Sequence, residues 1–185
     1  MFLFSDKPLI PGSSSEKKWI FTAIINSLLW TVVDLYTKYL VVSHIAKGNR
    51  IQVIPGFFDL TFITNPGAAF GILAGRSVLL LSISAFALFV IVFFFRRITE
   101  GWPERFLSVS LILSGIIGNS ADRIYRGEVV DFLRVYYNKW EWPSFNIADS
   151  CICVGVFIFL ISTLCRPEKK DHAESSDSEK NSEQV

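Results

Sequence analysis

The sequence has long stretches that contain almost no charge. Charged residues make up 19% of its 185 residues, below the roughly 25% of an ordinary soluble domain. Of its 18 Lys or Arg and 17 Asp or Glu residues, only three lie within four apolar stretches, at residues 19–43, 77–95, 106–121 and 147–165. This scarcity excludes a soluble globular domain, a disordered chain and a nucleic-acid-binding module. It predicts a small polytopic membrane protein.

Residues that bind metals or act as nucleophiles are scarce as well. The three cysteines, Cys151, Cys153 and Cys165, all fall in the last apolar stretch, and only two histidines are present. Cys151 and Cys153 are two positions apart, which is about 200° around a helix, so they cannot share a metal ion there. We interpret the cysteines as small buried apolar residues. No metal-ligand spacing, phosphate-binding glycine loop or nucleophile elbow is present.

The apolar stretches have lengths typical of membrane-spanning helices, which need about 20 mostly apolar residues. Residues 106–121 are the shortest stretch. They become long enough if their helix begins near Pro103, a favourable first-turn residue, and continues to about Ile124. We therefore expect an all-α polytopic membrane protein with four transmembrane helices. The first could instead be a signal peptide, but it is longer than the usual 7–15-residue apolar core.

Basic residues predict the orientation and the division of the chain. They flank both termini of the predicted bundle and the short loop between the second and third spans, so we expect these parts to be cytoplasmic. Residues 1–18 are then an N-terminal cytoplasmic extension, residues 19–165 a four-span domain, and residues 166–185 a disordered, charged cytoplasmic tail. Residues 1–16 are also expected to be disordered.

Two segments between the spans predict strands on the outer side of the membrane. Residues 50–62 mix β-branched and aromatic side chains around Pro55 and Gly56, which is typical of a hairpin. Val129–Tyr137 is also strand-like. We expect a small extracytoplasmic β-layer on the helix bundle.

Ionisable residues within the spans are costly and are therefore candidates for function. Asp34 and Lys38 lie four apart on one helix face, which favours a structural ion pair. Asp149 follows Asn146 by three residues at the start of the last span, which is typical of a capping box. Asp122 ends the third span, where the helix dipole disfavours an acid, so Arg123 or Arg126 is expected to pair with it.

A further acid and two further amides lie at the predicted outer ends of the spans. Asp131 is flanked by apolar residues, so it is either partly buried beside a partner or directed into a pocket. Asn65 and Asn119, like Asn146, are explained either by turn and cap chemistry or by a need to bond an extended peptide at the membrane. Lipid cannot satisfy the backbone groups of such a peptide, whereas amide side chains can.

Five motifs together resemble those of lipoprotein signal peptidase, the bacterial signal peptidase II family. Each is weak alone, but they occur in the family's order on the four-span pattern and cover residues 30–165, with Ser114 where the family usually has glycine. The motifs are Asp34-Leu-Tyr-Thr-Lys38, Asn65-Pro-Gly-Ala-Ala-Phe-Gly71, Gly118-Asn119-Ser-Ala-Asp122-Arg123, Val129-Val130-Asp131-Phe132 and Phe145-Asn146-Ile-Ala-Asp149-Ser150.

The resemblance implies an intramembrane aspartic endopeptidase. Such an enzyme removes the signal peptide from a prolipoprotein, cutting before a cysteine that carries a diacylglyceryl group. The implied roles are catalysis for Asp131 and Asp149, substrate binding for Asn65, Asn119, Arg123 and Asn146, and support of the site for Asp34, Lys38 and Asp122.

The resemblance also implies the setting in which the protein works. It implies that no metal ion or cofactor is needed. The implied partners are lipid-modified prolipoprotein signal peptides and membrane lipid, and nucleic acid is not among them. It implies a monomer in the bacterial cytoplasmic (inner) membrane, crossing it several times with both termini cytoplasmic. The alternative is a non-enzymatic small membrane carrier or lipoprotein-binding scaffold, because carriers also contain intramembrane acids.

Overall fold

The computed structural model describes residues 7–68 and 72–166. Within these ranges the chain forms five helices and four strands. In chain order they are α1 (Ser14–His44), β1 (Arg50–Ile54), β2 (Phe58–Asn65), α2 (Ser77–Phe93), α3 (Phe95–Thr99), α4 (Pro103–Arg126), β3 (Val129–Tyr137), β4 (Trp140–Glu141) and α5 (Ile147–Cys165).

Helix α4 lies at the centre of the bundle and packs against both α1 and α5. It begins at Pro103, as predicted, and ends before Gly127, whose φ of 79° suits a glycine C-cap. Small residues permit its close packing. A Cβ atom at Gly115 would collide with the backbone carbonyl of Ala148, and one at Gly155 would lie 2.8 Å from the carbonyl oxygen of Ser108.

Two helices in the described ranges, α1 and α5, are long and apolar enough to cross a membrane by length and composition. Helix α2 is apolar but has only 17 residues, because the predicted second span breaks at Phe94 before the short helix α3. Helix α4 has 24 residues, several of them charged or hydroxylated. The four-span count therefore stays a prediction, whereas the predicted combination of apolar helices with a small β-layer is confirmed.

The strands form one antiparallel sheet in the order β1-β2-β3-β4. The predicted hairpin turns at Gly56, which has a φ of 77°, and β3 has the predicted bounds. Val41 of α1 and Ile45, which follows the last residue of that helix, pack against Val130 and Phe132 of β3 in an apolar cluster. The sheet is thus attached to the bundle next to Asp131.

The N-terminal segment is more ordered than the sequence predicted. Residues 7–16 were expected to be disordered, but α1 begins at Ser14, and the Ser13 hydroxyl accepts a hydrogen bond from the backbone N–H of Glu16. The Glu16 carboxylate is buried and accepts from the backbone N–H of Gly12. Ser13 and Glu16 form a local helix-start signal that the prediction overlooked. Residues 1–6 and, of the predicted tail, residues 167–185 lie outside the described residues.

Candidate active site

The two acids predicted to be catalytic line the same cavity, which has a volume of about 1,040 Å³. Asp131 belongs to β3, and Asp149 is the third residue of α5. Apolar side chains of α2, α4 and α5, including Leu80, Ile116 and Ile152, line another part of the cavity. A large apolar cleft with a few converging polar groups is typical of a ligand-binding site.

The carboxyl group of Asp131 is only 4% exposed and accepts a hydrogen bond at each oxygen. Asn146 Nδ2 donates to Oδ1 at 2.8 Å, and Asn65 Nδ2 donates to Oδ2 at 3.2 Å. Burial, and after it the charge of Asp149, raises the pKa of Asp131 to about 7, although both amide hydrogen bonds act in the opposite direction. The group can therefore exchange a proton near neutral pH.

Asp149 is also bonded at both carboxyl oxygens. Asn119 Nδ2 donates to Oδ1 at 2.7 Å, and the backbone N–H of Asn146 donates to Oδ2 at 3.3 Å. In return, the backbone N–H of Asp149 donates to Asn146 Oδ1 at 2.9 Å, so the predicted capping box is present. Asn146 therefore bridges the two acids, because its cap oxygen faces Asp149 and its amide nitrogen faces Asp131.

The segment before α5 brings Asn146 and β3 together. Phe145 pairs with Leu133 of β3 through two backbone hydrogen bonds, of 2.8 and 3.1 Å. Asn146 follows directly and has an exposed fraction of 0%. It does not line the cavity, whereas Asn65 and Asn119 do.

Two of the three amides, Asn65 and Asn146, make the turn or cap contacts that were one of their two predicted roles. Asn65 Oδ1 accepts from the backbone N–H of Gly67 at 2.9 Å, which is turn chemistry, while its nitrogen contacts Asp131. Asn146 caps a helix with its oxygen and contacts Asp131 with its nitrogen. In both cases the local role orients the amide so that its N–H groups face Asp131.

Arg123 lines the same cavity from α4. One terminal nitrogen donates to the backbone carbonyl of Gly67 at 2.8 Å, and the other approaches the carbonyl oxygen of Asn119 at 3.5 Å. Its Nε atom is buried and has no hydrogen-bond partner among the described residues. Arg123 thus connects α4 to the turn after β2.

Lys38 lies behind the acids and is 1% exposed. Its ammonium group is 2.8 Å from Asp34 Oδ2, 3.1 Å from Asp122 Oδ2 and 3.1 Å from Asn119 Oδ1. These three acceptors match the three donors of a lysine. The predicted Asp34–Lys38 ion pair is present. Asp34 also receives a 2.8 Å hydrogen bond from the backbone N–H of Ala148, at the start of α5.

Asp122 pairs with Arg126 at 3.1 Å, one of the two cations predicted for it, and not with Arg123. It also accepts a 3.1 Å hydrogen bond from the backbone N–H of Val130. The Asp122–Lys38 contact was not foreseen, since the two residues belong to different helices. The nearby Gly118 was not foreseen as a site residue either. A Cβ atom there would collide with Asp34 Oδ2, so the glycine leaves space for the ion pair.

The interpretation of the cysteines is right for Cys151 and wrong for the other two. Cys151 is buried, whereas Cys153 and Cys165 are exposed, and Cys153 lines the cavity. Helix α5 has an open face, so residues two apart on it differ in burial. Among the described residues, no group of three or more His, Cys, Asp or Glu side chains is arranged to hold a metal ion.

Comparison with known proteins identifies the family. The family model described as Signal peptidase (SPase) II matches residues 26–165. The chain belongs to the signal peptidase II family. It is therefore a protease and a bacterial membrane protein, as its sequence predicted.

Relatives in this family match most of the chain. The lipoprotein signal peptidase of Syntrophus aciditrophicus is 37% identical over 83% of this chain and 99% of its own length. That of Syntrophotalea carbinolica is 41% identical over 75% of this chain and 88% of its own. The fold is similar to a bacterial membrane enzyme solved by the in meso method at 2.3 Å resolution, with a TM-score of 0.76 and 34% identity. That match covers 84% of this chain and 94% of the other.

Proposed function

We propose that the protein is an aspartic endopeptidase that removes signal peptides from diacylglyceryl-modified prolipoproteins, cutting before the lipid-bearing cysteine. One observation carries the aspartic mechanism. Asp131 and Asp149 line one cavity, and Asn146 bonds both of them. The relatives named above are lipoprotein signal peptidases, which supports the substrate class. A non-enzymatic carrier or scaffold is not favoured, because the chain belongs to a protease family.

Two neighbouring carboxyl groups in a poorly solvated site cannot both ionise easily, so Asp131 and Asp149 share one proton. The ionised carboxylate takes a proton from a water molecule, whose oxygen attacks the scissile carbonyl carbon. The protonated carboxyl donates its proton to the carbonyl oxygen. As the C–N bond breaks, a carboxyl group delivers a proton to the leaving amine nitrogen. The products are a new carboxylic acid and a new amine.

The other predicted residues hold the substrate and the acids. Arg123 lines the cavity, and its guanidinium group donates to a carbonyl oxygen of the extended substrate. Asn65 and Asn119, which line the cavity, bond the substrate backbone as well as the acids. Asn146 is fully buried, so we assign it a positioning role instead of direct substrate contact. Asp34, Lys38 and Asp122 support the site from behind.

The membrane arrangement follows from the same proposal. Helices α1, α2, α4 and α5 span the bilayer, with both termini on the cytoplasmic side of the inner membrane and the β-layer on the opposite side. The apolar part of the cavity, lined by Leu80 and Ile83 of α2 and Ile152 of α5, then lies at membrane level. It accommodates the lipid-bearing end of the substrate while its backbone lies against the amides. The enzyme acts as a monomer.

The proposal is tested with Asp131→Asn and Asp149→Asn. Each variant should accumulate in the membrane but lose at least about a hundredfold in cleavage, the typical scale of a general acid or base. The substrate is a purified precursor that carries the diacylglyceryl group, compared with the same precursor without it. Glu128→Gln is the matched control, because this acid is 39% exposed and, among the described residues, forms one ion pair, at 3.7 Å with Lys47. Near-normal cleavage by either Asp variant would contradict the mechanism.

A further inference from the structure

Lys38 imposes one orientation on the amide of Asn119. A lysine ammonium group has three donors and no acceptor, so only an oxygen can face it at hydrogen-bond distance. Asn119 Oδ1 lies 3.1 Å from Lys38 Nζ. The amide nitrogen must then face the other way, where it meets Asp149 Oδ1 at 2.7 Å. Asn146 Nδ2 donates to Asn119 Oδ1 at 3.2 Å and favours the same orientation. Lys38 and Asn146 together make Asn119 present a donor and not an acceptor to Asp149.

The charge of Lys38 is largely balanced by its neighbours, so that only a small part of it acts on Asp131, where it is the weakest of the influences on the pKa. Asp34 and Asp122 are both in contact with Lys38, and Arg126 pairs with the second oxygen of Asp122. The two cations and the two anions of this cluster balance. Lys38 therefore acts on Asp149 mainly through the direction of the Asn119 amide, and not through its own charge.

The surroundings of Asp131 and Asp149 differ, and they favour the ionised form at Asp149 more than at Asp131. Asp149 is the third residue of α5, where the helix dipole and the backbone N–H of Asn146 favour a negative charge. It also receives the short hydrogen bond from Asn119. Asp131 lies on a strand and has no helix N-terminus of its own. Among the described residues, Arg123 is the cation that lines the cavity, and its charge acts on both acids.

We propose that Lys38 is a positioning residue. By fixing the Asn119 amide it keeps Asp149 as the ionised, water-activating base, so that the shared proton starts on Asp131. This inference rests on the proposed aspartic mechanism and deepens it by assigning the two roles. The pKa of about 7 that burial gives to Asp131 agrees with the assignment, because that group then holds a proton up to neutral pH.

The pH dependence of kcat/KM, measured on a lipid-modified precursor in detergent, tests the assignment. The acid limb of the profile reports loss of the ionised base, and the basic limb reports loss of the protonated acid. In Asn119→Ala the acid limb should move to higher pH by about one unit, the scale of a lost hydrogen bond to a charged group. The basic limb should stay in place.

Asn26→Ala is the matched control. Asn26 also makes an interhelical amide hydrogen bond to α4, at 2.7 Å to Ser110 Oγ, but it does not contact the acids or line the cavity. Neither limb should move in this variant. Movement of the basic limb alone in Asn119→Ala would place the proton on Asp149 and overturn the assignment. A profile unchanged in shape would mean that Asn119 is only structural, which also overturns it.

The role of Lys38 is tested by Lys38→Gln, whose amide can present either an oxygen or a nitrogen to Asn119. The acid limb should move in the same direction as in Asn119→Ala but by less, because Asn146 Nδ2 still donates to Asn119 Oδ1. Lys38→Arg, which again has only donors, should restore it. The double variant Lys38→Gln, Asp122→Asn keeps the cluster neutral and serves if the single variant does not accumulate. If the variant that accumulates shows an unmoved acid limb, Lys38 does not act on Asp149 and the proposal for Lys38 is wrong.

Failure of this inference is distinguishable from failure of the proposed function. If Asp131→Asn or Asp149→Asn still cleaves the precursor, the proposed function is wrong. If both are inactive while the limbs do not move as described, the two acids remain catalytic and only the assignment through Lys38 is wrong.

Discussion

Replacing Asp131 with asparagine should make the folded protein more stable relative to the unchanged protein as the pH rises, although the same change should abolish cleavage. Burial raises the pKa of Asp131 from the ordinary value of 3.8 to about 7. The folded state therefore binds a proton more tightly than the unfolded state. The stability associated with this proton is fully present below about pH 4 and is lost as the pH rises through about 7. An asparagine does not titrate, so the variant does not lose this stability as the pH rises.

The magnitude follows from the difference of about three pH units. At 1.36 kcal/mol per unit it corresponds to about 4 kcal/mol in total, of which about 2.5 kcal/mol falls between pH 5 and pH 8. Asn65 and Asn146 both donate to Asp131, so the new amide must turn its N–H₂ group towards one donor. This costs about 1–3 kcal/mol at every pH. The effect of the substitution should therefore be visible in how the free energy of unfolding changes with pH, and not in its value at a single pH.

The assay is thermal unfolding of the purified protein, followed by tryptophan fluorescence in buffers from pH 5 to pH 8. The difference in Tm between Asp131→Asn and the unchanged protein should rise by about 5–10 °C across this interval. Glu128→Gln, a partly exposed acid in the same region, should show no such trend. A Tm difference that is flat between pH 5 and pH 8 would refute the view that burial holds a proton on Asp131.

Two further predictions concern the support of the site. Gly118→Ala should reduce both Tm and cleavage, because its Cβ collides with Asp34 Oδ2 and separates the buried pair with Lys38, at a cost of about 3–5 kcal/mol. Ser120→Ala on the same helix should be neutral, since that buried hydroxyl has no hydrogen-bond partner among the described residues. Asp122→Asn should lose abundance together with activity, as it weakens two ion pairs. A variant that accumulates normally but is inactive would give Asp122 a direct catalytic role.

Local features of the fold could be predicted from the sequence. The bounds of α5 and β3, the Pro103 start of α4 and the hairpin at Gly56 all follow from patterns within one segment. The capping box also joins residues only three apart. Apolar length, turn residues and helix caps act between near neighbours, so their effect is visible before the chain folds.

Two local signals led to wrong expectations. The Ser13–Glu16 helix start lay in a segment judged disordered from its composition. The exposure of Cys153 depended on which face of α5 borders the cavity. The first error was an overlooked cap. The second could not have been avoided, because burial on an apolar helix is decided by its neighbours.

The sequence by itself determined which residue types are available at the site. It identified Asp131, Asp149, the three amides and the Asp34–Lys38 pair. Only the tertiary structure decided how they are connected, because the contacts join residues far apart in the chain. Lys38 meets Asn119 across 81 positions, Asn65 meets Asp131 across 66, and Ala148 meets Asp34 across 114. Hydrogen-bond direction and burial depend on these long-range contacts, and on them rests the proposal of which carboxyl group holds a proton and which activates water.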